Sequence, residues 1–458
     1  MLGWFDHTLV IVYLAVHLAV AIFGFRLRNH TREELILAGR QLTLPAFVAT
    51  LVSTWYGGIL GVGEFSYRFG ISNWLVFGVP YYLAAAIFAF FLARRARHSP
   101  EITIPDRLHK FYGPTAAASG SAVLVLVTMP VAYVLMIGVL FNQLYSVPVW
   151  VGIVAGTFFS VCYVMTGGFR AMLMTDSLQF LMMFIGFIVL LVAAVMTYGG
   201  LDFLQSHLPT AHFSASGGNS PGYVALWYII AMATLVEPAF YQRCFAARSE
   251  KVARNGILIS ILFWILFDFL TTFCGMYARA VLPELSNPAA AYPALAAQLL
   301  PAGLMGLIIL AMMATIMSTV DSYMFLAATT ISHDLFWRFK KFEERLLPRY
   351  TVYSLFFVSA ITITIASLSE SVVGIWHDFG SIGTSALLLP VATTYWGKYT
   401  FMPWGAAFSI VASAVITTAT LLYPRLTGAP GYFLGIEPIF IGLAISFSVF
   451  LVTRIEKT

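Results

Sequence analysis

Met313 to Ser322 reads MATIMSTVDS. The stretch lies inside an apolar run that begins near Gly303, and no Lys or Arg follows until Arg338. Thr315, Ser318, Thr319, Asp321 and Ser322 put five polar side chains into eight residues of that run. Ser318, Asp321 and Ser322 stand at i, i+3 and i+4 and share one face of a helix, with Thr315 and Thr319 beside it. A carboxylate among hydroxyls offers oxygen ligands only, which suits a hard cation such as Na⁺. Hydroxyls in apolar helices also bond back to carbonyls and glue helices together. Asp321 tips the balance, because a carboxylate at membrane depth costs on the order of 3 kcal/mol and marks a functional site.

Composition sets the surroundings of that helix. Of 458 residues, 60% are hydrophobic and only 10% charged, more apolar surface than a soluble domain can hide. Runs of about 20 apolar residues point to membrane-spanning helices rather than a barrel. The three cysteines, Cys162, Cys244 and Cys274, are odd in number and widely spaced, so neither a disulfide framework nor a metal site is expected. A net charge of +5 does not imply nucleic acid, since basic residues at the ends of spans have a topological explanation.

Thirteen spans are expected, at about 7–26, 43–69, 73–93, 115–145, 148–167, 172–198, 223–241, 256–281, 302–332, 350–367, 370–395, 401–423 and 431–453. With the N-terminus outside, 22 of the 25 Lys and Arg fall in inside loops or at the C-terminus, among them Arg28, Arg170 and Arg243. Only Arg68, Arg279 and Arg425 fall outside, a strong positive-inside split. The expected location is the inner (plasma) membrane, with a cytoplasmic C-terminus and the bilayer as solvent. The second and seventh spans, five apart, are both interrupted: one by Ser53-Thr54-Trp55-Tyr56-Gly57-Gly58, the other by Glu237-Pro238. Broken helices at matching places in two halves suggest an inverted-repeat transporter with its site at the midplane.

Four more acids lie within apolar runs. Asp176 has no Lys or Arg nearer in sequence than Arg170, so no salt bridge is evident and a cation or proton is expected to neutralise it. Glu64 and Arg68, at i and i+4, are expected to pair. Glu237 reads as functional. Asp268 has no explanation from sequence, since Arg279 lies three turns away.

The chain resembles the sodium:solute symporter family from about Leu37 to Asp334. The matching pieces are LAGR (Leu37 to Arg40), TIPDRLHKFYG (Thr103 to Gly113), GGFRAMLMTDSLQ (Gly167 to Gln179), PAFYQRCFAARSEKVAR (Pro238 to Arg254) and MSTVDS (Met317 to Ser322). The resemblance implies an all-α membrane protein with a LeuT-type core: an extra first helix at 7–26, a five-helix repeat over 43–198, its inverted copy over 223–395, and two last helices over 401–453. It implies a conserved Na⁺ site at Leu51, Thr54, Thr315, Ser318 and Thr319. A second Na⁺ or H⁺ site would use Asp176, Ser318, Asp321 and Ser322, leaving the ion stoichiometry open. Solute contacts would come from Ser53, Trp55, Tyr56, Gly57, Gly58 and Glu237. Proline carriers have Gln and sugar carriers Asn where this chain has Glu237, so a carboxylate there favours a solute with an ammonium group, or binds a proton. Trp376, His377 and Asp378 suggest an outer gate.

Sodium-coupled uptake of a small organic solute by alternating access is therefore expected. A proton-coupled carrier of the same fold is the first rival. A membrane solute sensor is the second, and the lack of an appended signalling domain before Thr458 weighs against it. No nucleophile–base pair, metal-spaced His or Cys cluster, or phosphate loop appears, so an enzyme is not expected. His30, His98 and His109 fall in inside loops, His207 and His212 in the long outer one.

Overall fold

The computed structural model describes residues 3–26, 31–369 and 371–457, so Arg28 and His30 fall outside the described residues. Its helices, in chain order, begin with α1 (Trp4–Arg26), α2 (Leu44–Trp55), α3 (Ile59–Phe69), α4 (Val79–Ile87), α5 (Ile104–Val127), α6 (Val131–Tyr145) and α7 (Val149–Tyr198). They continue with α8 (Pro221–Ile230), α9 (Pro238–Ala246), α10 (Glu250–Val281), α11 (Leu304–Thr329), α12 (Leu347–Ser367), α13 (Val372–Tyr395), α14 (Pro403–Thr427) and α15 (Pro438–Thr453). Among the described residues, nine helical segments are long and apolar enough to cross a membrane, and the bent pair α2–α3 makes ten. Three shorter apolar helices, Trp4–Val20, Val149–Met165 and Pro438–Thr453, lie where the first, fifth and last expected spans were placed. Apart from helices, Tyr399–Phe401 pairs antiparallel with Arg454–Glu456.

Local chemistry sets the ends. Ser249 and Ser220 cap α10 and α8 by accepting from the amides of Val252 and Tyr223, and Thr103 caps α5 through the amide of Asp106. Proline opens α8, α9, α14 and α15, where its missing N–H costs nothing. The fifth and sixth expected spans meet inside α7 at Gly168, whose φ of 60° lies in the left-handed region. Leu35 packs against that turn.

The helix carrying MATIMSTVDS is central. In the segment Leu304–Lys340, 89% of the most apolar window is buried inside the protein, the highest share among the nine spans. It packs along α7, with α1, α2 and α12 completing its surroundings. Close approach depends on missing side chains. A Cβ on Gly186 of α7 would fall 2.3 Å from the Cβ of Ala311 on α11.

Both expected interruptions are present. The second span breaks at Tyr56 to Gly58, where α2 and α3 meet at a bend of 61°. The seventh runs from α8 through a 3₁₀ turn, Ala231–Val236, to an extended Glu237 (φ −69°, ψ 115°), and then restarts as α9. Gly57 allows the break in α2 to lie against α11, because a Cβ there would fall 2.0 Å from the Thr319 hydroxyl. Gly57→Ala is expected to lower the melting temperature in detergent, with an overpacking cost of about 1–3 kcal/mol. An unchanged melt would show that the two helices do not depend on this contact.

Candidate functional site

The break ends α2 at Trp55 and frees the last carbonyls of that helix. One is satisfied from α11: the Thr319 hydroxyl donates to the Thr54 carbonyl at 2.6 Å and lies 3.5 Å from the Thr315 carbonyl. The Thr315 hydroxyl donates to its own helix at Ala311 (2.6 Å), and the Thr315 carbonyl lies beside the Thr319 hydroxyl. Leu51 lies one turn before Thr54, fully buried and still helical.

A second cluster adjoins the first. The Ser318 hydroxyl donates to one Asp176 oxygen at 2.8 Å, and the Thr50 hydroxyl donates to the other. The Thr54 and Ser322 hydroxyls are 3.0 Å apart. Three helices, α2, α7 and α11, thus bring Thr50, Thr54, Asp176, Ser318, Thr319 and Ser322 together, all buried and nearly all offering oxygen. Thr50 was not recognised from sequence. It precedes Thr54 by one turn, and that spacing was the available signal.

Asp321 does not join them. It is 1% exposed, and neither of its oxygens closes a hydrogen bond. The Ser160 hydroxyl of α7 is the polar group that faces it, outside hydrogen-bonding geometry. Successive helical residues turn by about 100°. Ser322 therefore points at the cluster while Asp321 is carried around to the flank. The expected four-residue set reduces to Asp176, Ser318 and Ser322.

Arg243 overturns two expectations. It is not in an inside loop but in α9, with a side chain 0% exposed. Its Nη2 donates to the hydroxyls of Thr50 (3.1 Å), Thr54 (2.8 Å) and Ser322 (2.9 Å), and lies 3.7 Å from Asp176 Oδ2. Asp176 therefore has a cationic partner, 67 residues away in sequence and beyond any local spacing argument. Its Nη1 donates to Gln242 (3.2 Å), and the Phe169 ring packs 5.3 Å from the guanidinium carbon.

Beyond the break lies a cavity of about 200 Å³. Of the expected solute residues, Trp55, Tyr56, Gly58 and Glu237 line it. Ser53 and Gly57 do not: Ser53 donates to the Ala49 carbonyl at 2.9 Å, and Gly57 faces Thr319. Tyr81, Tyr82, Tyr133, Trp264, Asp268 and Trp376 also line it, and sequence alone placed none of them there. Glu237 accepts from the Ala239 amide at 3.2 Å. Asp268 accepts from the hydroxyls of Tyr56 and Tyr82. Arg279 takes no part, donating instead to the Pro283 carbonyl at 2.6 Å. Trp376 closes on the break, since a Cβ on Gly58 would fall 2.3 Å from its ring. His377 beside it pairs with Asp378 and Glu437, each at 3.1 Å. Glu64 and Arg68 pair as expected, at 3.0 Å.

Asp106, His333 and Asp334 lie close enough together to hold a metal, which the sequence did not suggest. Arg338 already supplies a cation there, 2.8 Å from Asp106 and 2.7 Å from Asp334.

The family model for "Sodium:solute symporter family" matches residues 35–408. The chain belongs to the sodium:solute symporter family. It is 25% identical to the sodium/pantothenate symporter of Escherichia coli K12, over 97% of this chain and 95% of that one. It is 25% identical to the sodium/myo-inositol cotransporter 2 of Sus scrofa, over 80% of this chain and 62% of that one. Among solved structures, a Na⁺-coupled sialic acid symporter in a substrate-bound, outward-open state superposes with a TM-score of 0.80 at 15% identity, covering 98% and 97% of the two chains. The closed nucleobase-cation-symport transporter with bound bromovinylhydantoin gives 0.54 at 11% identity, over 92% and 95%. The fold is the LeuT-like one, and the symporter is a multi-pass membrane protein that couples transport of a small solute to Na⁺.

Arg243→Gln is expected to destabilise the symporter by about 3–5 kcal/mol, because it strands a buried carboxylate. Adding Asp176→Asn should restore much of the loss. A double variant no better than the single one would show that the pair is not coupled, and chemical denaturation of the four proteins measures it.

Proposed function

We propose that Na⁺ binds where the broken end of α2 meets α11, held by the carbonyls of Thr54 and Thr315 and the hydroxyls of Ser318 and Thr319, with Leu51 supporting the turn before. The observation that carries this is the direct seam between the Thr54 carbonyl and the Thr319 hydroxyl. It joins an interrupted backbone to a hydroxyl-bearing helix, and all its donor atoms are oxygen, as a hard cation requires. Asp176, one ligand step away through Ser318, senses the ion and balances Arg243.

The solute is an amine-bearing organic molecule that enters the aromatic cavity beside Trp55, Tyr56 and Gly58, with Glu237 as counter-charge. Support comes from the lining: two carboxylates, many aromatic rings, and no Arg, Lys or His. Bound Na⁺ fixes the break in α2, and the same break forms one wall of the cavity. Ion and solute therefore favour each other by linkage. The membrane potential drives the inward charge at about 2.3 kcal/mol per charge per 100 mV. The repeats 43–198 and 223–395 rock against each other to open the site to the inside, in a plasma membrane with the N-terminus outside and the C-terminus in the cytoplasm.

Melting of the purified symporter in NaCl and KCl at equal ionic strength tests the ion site. Saturable stabilisation by Na⁺ is expected, weakened by Ser318→Ala and by Asp176→Ala. Ser332→Ala, whose hydroxyl bonds Thr351 at 2.9 Å nearer the inside end, should keep it. Equal melts in the two salts, or equal loss in all three variants, would overturn the assignment.

A further inference from the structure

The cavity contains two acids, and the amine reading above uses one of them. Asp268 comes from α10 and Glu237 from the break before α9, so the two approach from different elements. Each is fixed by neutral donors. Asp268 accepts from the hydroxyls of Tyr56 and Tyr82, and the Tyr56 hydroxyl is in turn 2.9 Å from that of Thr271. Glu237 accepts from the Ala239 amide. A carboxylate has about four lone-pair sites, so both keep acceptor capacity after these contacts.

Neither acid has a cation committed to it. No basic side chain lines the cavity. Among the described residues, Asp268 forms no ion pair. The buried Arg243 has its terminal nitrogens engaged by Thr50, Thr54, Ser322 and Gln242. A buried Asp268 and a half-buried Glu237 lining one small cavity favour an occupant that brings two positive charges. The walls suit such a molecule along its length. Trp55 meets Tyr81 at 5.7 Å and Trp264 at 6.0 Å between ring centres, apolar faces for methylenes and negative ring faces for the ammonium ends.

We propose that the transported solute is a small organic dication of the diamine class, with one ammonium group at Glu237 and the other at Asp268. This rests on the amine reading of the cavity and adds Asp268 as a specificity-determining residue. It sets this cavity apart from one built for a carboxylate solute, which would meet two like charges and no partner.

The test is the melting temperature of the purified full-length symporter in saturating NaCl, titrated with putrescine, butylamine, N-acetylputrescine and pantothenate. Putrescine should stabilise saturably, with a midpoint at least about tenfold below those of the two monoamines. Pantothenate should give no shift. Asp268→Asn should bring putrescine to within about twofold of butylamine, while Glu237→Gln should remove the response to both. Equal midpoints for putrescine and N-acetylputrescine in the wild type would overturn the proposal without any variant, so it stays decidable even if Asp268→Asn fails to fold. A putrescine preference that survives in folded Asp268→Asn would overturn it as well. If butylamine binds as well as putrescine, the amine reading stands and the dication falls. If no amine shifts the melt while NaCl does, both fall and the sodium site remains.

Discussion

A helix broken inside a membrane leaves carbonyls that lipid cannot satisfy, and this chain meets that need with a hydroxyl from another helix. The contact is between Thr319 and the Thr54 carbonyl. Much of the arrangement around it follows. Gly57 must lack a side chain so that the break can lie against α11. The α11 helix must be buried almost throughout in order to reach the break. Its polar stripe is tolerated because it faces backbone and hydroxyls rather than lipid. A pair of breaks, one in α2–α3 and one at Glu237, then provides the polar backbone on which the proposed ion and solute sites rest.

Charge is placed with the same economy. Asp176, Asp268 and Asp321 are buried and Glu237 is half-buried around Arg243, and of these four only Asp176 lies within ion-pair distance of it. The guanidinium reaches Asp176 through a shell of three hydroxyls from α2 and α11, so one side chain of α9 touches the elements that an ion would bridge. Glu237 opens that same short helix. The cavity and the polar cluster therefore lie at two ends of one two-turn segment, so the linkage proposed between them has a covalent as well as an electrostatic path. Arg338, clamped between Asp106 and Asp334, does comparable work away from the cavity by tying α5 to the end of the α11 span.

Aromatic rings do most of the closing. Trp376 lies over Gly58 and Gly61, and Tyr133 packs against both Tyr323 and Trp376. Large flat side chains against glycines make contacts that can open without breaking backbone hydrogen bonds, which suits an access path more than a permanent core. The network His377, Asp378, Glu437 and Arg425 lies just beyond Trp376 and joins α13 to the last two helices.

The sequence by itself determined the membrane class, the succession of spans, both interruptions and the polar face of α11. These are one-dimensional properties: apolar length, residues that break helices, and a repeat of 3.6. It also named most of the polar cluster, because Ser318, Thr319 and Ser322 sit at helical spacing and Asp176 stands out in an apolar run. Only the tertiary structure decided the partners. Asp176 meets Arg243 because α7 and α9 converge on α2, and no spacing rule connects residues in different helices. Asp321 leaves the cluster because one residue step of about 100° from Ser322 carries it to the flank of the face. Asp268 had no reading in one dimension, since its neighbours, Tyr56 and Tyr82, lie 212 and 186 residues upstream. Spacing along a helix decides which side chains share a face. Which face meets which is decided by the packing of one helix on another.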